Sequence, residues 1–296
     1  MNHIMAMTRR NISIFLRDRS AVFFSFLSTI ILVALYFLFI AKMYTQSIES
    51  NAPGMFSASA QNFIVYLQMM AGVLILNSMS LSMGAFSTIA KDFENKRVDN
   101  FLLTPLGKTE LLLSYLFSGF SVSFALNLLT WIVSAVLIGA LTGYFITLAT
   151  ICMGVVILLA ASAVSASIML LITAIVRSST AISVIGGIAG TFFGFLCGIY
   201  MPFSNLGAAT EKVGSFLPFT HLTIWMKQTL LTDAFKQLSI MGSMKDTMMN
   251  DYFSARNIGL AGLNVPFPVM LGFCGVFALI CLLAAWALIQ KRMANR

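Results

Sequence analysis

Hydrophobic positions along this chain fall into six long runs separated by short polar breaks. Residues 50–90 and 111–176 contain no Asp, Glu, Lys or Arg at all. A run of about 20 apolar residues crosses a bilayer as one helix, whereas barrel strands are short and alternate in polarity. The pattern therefore predicts spans over about 21–41, 61–90, 111–138, 144–176, 180–201 and 269–289.

The breaks carry their own patterns. In residues 1–19, Met5, Ile12, Phe15 and Leu16 share one helical face, and Arg9, Arg10, Ser13 and Arg17 take another. That distribution suits a helix lying in the headgroup layer. The uncharged run behind it, 20–41, exceeds the roughly 7–15 residues of a signal-peptide core, and no small-x-small site follows, so a retained span is expected. Residues 42–59, with Pro53-Gly54, predict a short loop, and 139–143 a tight turn. The largest loop, 202–267, holds apolar pieces too short to span and broken by Pro and Gly. They predict a re-entrant hairpin, while 227–256 reads as polar enough to sit in water.

Composition settles the class. The chain is 59% hydrophobic and 9% charged, against roughly 25% charged in a soluble domain. The fold class expected is an all-α integral membrane protein forming a single domain over 1–296. Of its 28 charged residues, eight lie within 91–110, an island between the two uncharged runs. With six spans and both ends inside, twelve basic residues are cytoplasmic and six outside, five of those in the long loop. The net charge of +8 follows the positive-inside rule, and nothing in its placement suggests nucleic acid.

Within the spans, Gln68, Asn77, Ser80 and Asn127 must point at protein or water, either as interhelical hydrogen bonders or as the lining of a pathway. Gly186, Gly190, Gly194 and Gly198, each four apart, form a bare helical stripe that predicts close packing against the preceding small-residue span or a second subunit. Cys152, Cys197, Cys274 and Cys281 lie in apolar runs without metal-like spacing, and no metal site is expected. His221, after Pro218, reads as a structural hydrogen bonder. There is no phosphate-cradling Gly-x-x-x-x-Gly-Lys motif and no HExxH, so the chain is not expected to be an enzyme on its own. The predicted spans hold no Asp, Glu, Lys or Arg, which disfavours proton coupling and leaves sodium coupling open.

Three features together resemble the permease subunits of the second class of ABC exporters. They are the basic helix before the first span, the island ending Phe101-Leu102-Leu103-Thr104-Pro105-Leu106-Gly107-Lys108, and the segment Leu217-Pro218-Phe219-Thr220-His221-Leu222, similar to the family's LP-x-T-x-L. The resemblance covers nearly the whole chain. It implies two permeases, this chain with a second copy or a relative, bound to two copies of an ABC ATPase in the plasma membrane. ATP and Mg would reside on that ATPase and no cofactor on this chain. It places a coupling helix in the 91–110 loop. By position, Asp92, Glu94, Lys96, Arg97 and Asp99 are assigned to the ATPase contact, Thr104-Pro105 ends the helix, and Arg9, Arg10 and Arg17 can add to it. The uncharged interior favours an amphipathic or hydrophobic cargo such as a drug, antibiotic, lipid-like toxin or peptide. A polysaccharide or lipid exporter, an ion-coupled secondary transporter, an intramembrane enzyme and a peptide sensor are the competing readings.

Overall fold

The computed structural model describes residues 2–35, 41–51, 54–176, 178–200, 207–256, 258–259 and 267–294. The expectations resting on 36–40, Pro53, Arg177, Pro202-Phe203 and Arg296 lie outside these. Among the described residues there is no strand. In order come α1 (Asn2–Arg17), α2 (Arg19–Leu35), α3 (Ala41–Asn51), α4 (Ala58–Glu94), α5 (Arg97–Leu102) and α6 (Lys108–Thr142). Next are α7 (Leu148–Val176), α8 (Ser179–Leu196), α9 (Ala208–Gly214), α10 (Pro218–Gln237), α11 (Ser243–Thr247), a π-helical turn (Met248–Tyr252) and α12 (Phe267–Ala294).

Five of these, α4, α6, α7, α8 and α12, are long and apolar enough to cross a membrane. Helix α2 has 17 described residues and falls short of that length by itself. Helix α4 is the central post, with α1, α2, α3, α6, α7, α8 and α10 all packed on it. Its 37 residues extend about 55 Å at 1.5 Å per residue, well beyond a hydrocarbon core of roughly 30 Å. Burial on every side explains why its apolar positions show little helical periodicity. Its start is fixed by Ser57, whose hydroxyl accepts from Ala60 N–H at 3.2 Å. The α6 end is a glycine cap, Gly143 at φ +77°, a left-handed conformation that side chains resist.

The segments between spans depart from expectation in three places. The 42–59 loop contains α3, because Ala41, Tyr44 and Ile48 recur at helical spacing and are buried. On α1 the buried face is Thr8, Asn11 and Phe15, while Met5 and Leu16 are exposed. Arg10, expected on the polar face, turns inward. The stretch from Lys227 onward begins on a packed helix rather than in an open loop. Helix α10 starts at Pro218, a favourable first helical position, and packs on α4 and α7 with Met226, Leu230, Leu231 and Phe235 buried.

Candidate functional site

The charged island sits at one end of the bundle and is built in two tiers. Asp92, one turn beyond Ile89 on the buried face of α4, is almost wholly buried. Arg10 of α1 donates to both its carboxylate oxygens, at 2.7 and 3.1 Å. Arg10 also donates to Asn11 Oδ1 at 2.9 Å, and its guanidinium lies 4.8 Å from the centre of the Phe101 ring. The hydrogen bond to Asp92 raises the Arg10 pKa, with burial opposing it. Arg97 approaches Asp92 at 3.7 Å, and Lys91 lies 3.6 Å from Asp18. Arg17, the last residue of α1, is exposed.

Glu94 reaches another helix. Its Oε1 accepts from Ser179 N–H at 2.8 Å and its Oε2 from the Ser179 hydroxyl at 2.9 Å, at the first turn of α8. The outer tier is α5 itself. Lys96 takes φ +55°, a left-handed conformation uncommon outside glycine, and swings the chain from α4 into α5. Lys96 and Arg97 are exposed and Asp99 is half-buried. Helix α5 stops at Leu102, where Leu103 to Pro105 turn the chain. Thr104 donates its hydroxyl to Phe101 O at 2.5 Å. Pro105 cannot continue a helix and disfavours it at the residue before. Gly107 N–H then donates to Glu110 Oε2 at 3.0 Å, opening α6.

Of the candidate pathway residues, the structure brings two to one place. Asn77 and Ser80 line a cleft of about 150 Å³ between α2, α4 and α8, with Thr29, Met83, Gly186, Gly190 and Tyr200. Asn127 is fully buried behind it, donating to Leu74 O at 3.0 Å and accepting from Asn77 Nδ2 at 3.1 Å. Thr29 donates to Asn77 Oδ1, and Asn77 also donates to Thr130 at 3.3 Å, so α2, α4 and α6 share one polar network. Gln68 lies elsewhere, donating to Phe253 O at 3.2 Å. A second, apolar groove of about 620 Å³ runs between α2, α4 and α6 past Phe26, Ile30, Met69, Val133 and Leu137, and Thr29 borders both spaces.

The glycine stripe is divided in the structure. The main neighbour of α8 is α4 rather than the small-residue helix α7. Gly186 faces Met83 of α4 and Gly194 faces Tyr200, while Gly190 has open space beside it. Gly198 lies past the helix end at φ +63°.

Sequence reading missed a buried amine at the opposite end of the bundle. Lys227 of α10 is fully buried and donates to Gly198 O at 2.8 Å and Phe253 O at 3.0 Å. Burial pushes its pKa down to about 7. Its spacing from Ile224 and Leu231, three back and four on, was the available signal. His221, in the same helix, bonds Ser215 O at 2.7 Å, and burial lowers its pKa. Pro218 gives its carbonyl to Cys274 at 3.7 Å. No group of metal-ligating side chains occurs among the described residues.

A helical bundle organised on one long post, with a charged helical loop at one end, is the geometry on which family membership bears. The profile of the ABC-2 family transporter protein matches residues 40–287. The chain belongs to the ABC-2 transporter family. It is therefore a transmembrane component that works with an ABC ATPase, and not the ATPase itself. No curated protein sequence matches the chain.

Proposed function

We propose that this ABC-2 permease pairs with a second permease and two ATPase subunits in the plasma membrane, and exports an amphipathic or hydrophobic compound. The observation that carries the reading is the exposed α5 loop, with Lys96 and Arg97 at its tip, standing on a buried ionic base at the end of the spans. A helix presented in this way offers an ATPase a rigid charged surface. The tip residues Lys96, Arg97 and Asp99, with the stop at Thr104-Pro105, form the docking contact. Asp92 and Glu94, held by Arg10 and Ser179, anchor the loop to its own bundle. ATP and Mg bind on the partner.

The positive-inside rule puts α1, α5 and both termini in the cytoplasm. Helix α2 is the sixth span. The short helix α9 and α10 form the re-entrant hairpin of the outer side. In support, α10 returns from Cys274 of α12 to the α6–α7 turn, where Thr147 N–H donates to Asp233 at 2.9 Å. The apolar groove beside the cleft favours a membrane-partitioning cargo over a hydrated polymer.

The test is isolation of the chain from native membranes in mild detergent, followed by ATPase assay. An ATPase that co-purifies with the wild type and is released by K96E/R97E supports the reading. A chain isolated alone, without ATPase activity, overturns it. Accumulation of a surface glycan precursor in cells lacking the protein, with normal handling of hydrophobic compounds, overturns the cargo class.

A further inference from the structure

Glu94 ends α4 yet its exposed carboxylate accepts from α8, through Ser179 N–H at 2.8 Å and the Ser179 hydroxyl at 2.9 Å. A carboxylate at the C-terminus of its own helix opposes that helix's dipole, whereas at the N-terminus of another it is favourable. Its placement thus answers to α8 and not to α4. Helix α8 does not depend on Glu94 for its cap, because Ser178 already accepts from Ala181 N–H at 3.4 Å. What Glu94 adds is a tie between two helices that are 85 positions apart at this point.

The tie stands where movement enters and where movement is easiest. Asn95 and the left-handed Lys96 are all that separate Glu94 from α5. Asp92, two residues earlier, is braced against α1 by Arg10, so the base of the loop is fixed on that side. On the other side, α8 rests on α4 with few of its own side chains enclosed. Only Ile182, Gly186 and Gly194 of its residues are buried, and Gly190 leaves open space in the cleft. A helix with a smooth face and few buried side chains can shift along its neighbour at little cost in packing.

We propose that Glu94 is a positioning residue that passes displacement of the α5 loop to the N-terminus of α8, so that the wall of the cleft moves when the ATPase engages the loop. This rests on the export reading above. The push arrives at α5, the hinge is Asn95-Lys96, and the Glu94–Ser179 pair carries it into α8.

The experiment uses the intact complex isolated through its ATPase subunit, so that lost docking does not register as lost response. Cys152, exposed, is replaced by Ser, and a reporter is placed at the exposed Ser183 of α8 as S183C. The rate of maleimide labelling at that reporter is compared without nucleotide and with ATP plus vanadate. The expected result is a nucleotide-driven change of fivefold or more in the parent, lost in E94A and largely kept in E94Q, which can still accept from Ser179 N–H. The double variant E94A/S179D restores a carboxylate to the first turn of α8 without restoring the tie. It is expected to recover thermal stability but not the labelling response.

A response retained in E94A, restored in E94A/S179D, or absent from a parent complex that hydrolyses ATP overturns the relay while leaving the export reading intact. Failure of the parent chain to bring down any ATPase overturns the export reading, and the relay with it.

Discussion

Arg10 and Asp92, 82 positions apart, meet in a two-pronged ion pair at 2.7 and 3.1 Å that joins α1 to the end of α4. Asp92 is nearly inaccessible while Arg10 keeps part of its side chain exposed, so the two partners are not equivalent. Removing Arg10 strands a buried carboxylate beside Arg97, at 3.7 Å, and the Tyr115 hydroxyl. Removing Asp92 leaves an arginine that can turn to water. R10A is expected to cost about 3 kcal/mol of stability and D92A less. Because the pair acts as a unit, R10A/D92A should cost less than the sum of the singles by about 1–3 kcal/mol. R10K keeps the charge but loses the planar fork and should fall between wild type and R10A. Unfolding in mixed micelles measures all four.

Asn77 supplies both an acceptor and two donors to a network reaching Thr29, Asn127 and Thr130. N77A removes all of these at once from a buried site beside the cleft. Interhelical hydrogen bonds in membranes average well under 1 kcal/mol each, because unfolded helices find other partners. The expected loss is therefore about 1–2 kcal/mol rather than the larger figure three bonds in a dry core suggest. A loss above about 4 kcal/mol in the same micelle assay rules out this account.

Much of this arrangement was legible in the residues. Uncharged runs located α4, α6, α7, α8 and α12 to within a few positions of their ends, because a bilayer span leaves no alternative to a helix. The stop at Thr104-Pro105 was legible for the same kind of reason, a backbone that cannot donate. The ionic base was harder. Asp92 was read as a contact for a partner, yet it continues the stripe of Ala85 and Ile89 at helical spacing, which implies burial and hence a cation brought from elsewhere. That this cation is Arg10 is a matter of tertiary packing, since the local pattern puts Arg10 with Arg9 and Arg17 on a polar face. Glu94 and Ser179 carry no local signal for each other. Gln68 and Asn127 have the same polarity as Asn77 and Ser80, and only packing puts Asn77 and Ser80 at the cleft, Asn127 behind it and Gln68 elsewhere.

Glycine positions of similar appearance are expected to respond oppositely. A methyl group at Gly119 collides with the ring of Phe86, which is itself fully buried and cannot withdraw. G119A should destabilise by about 1–3 kcal/mol through overpacking. Gly190 has nothing within 4 Å of the added carbon, and alanine is the better helix former by roughly 1 kcal/mol. G190A should thus be neutral or slightly stabilising. Thermal unfolding of the two variants side by side decides it, and equal destabilisation of both contradicts the open space beside α8.

Lys227 predicts how stability depends on pH. Its amine is held between Gly198 O and Phe253 O, and burial lowers its pKa to about 7 from 10.5 in an unfolded chain. Cys197, just past the end of α8, is a titratable neighbour of the amine. Below pH 7 the folded and unfolded chains both carry the proton, and the cost of a buried charge is present in full. Between about pH 7 and 10 the unfolded chain binds more protons than the folded one, so stability rises with pH, by at most about 1.4 kcal/mol per unit. K227M removes this dependence together with the two hydrogen bonds. The gap in melting temperature between wild type and K227M should therefore move in favour of wild type as pH is raised from 7 to 9. Acid and neutral conditions should favour K227M relative to that trend. A gap that stays constant with pH, or moves the other way, means the amine remains charged in the folded protein and the two carbonyls are enough to hold it.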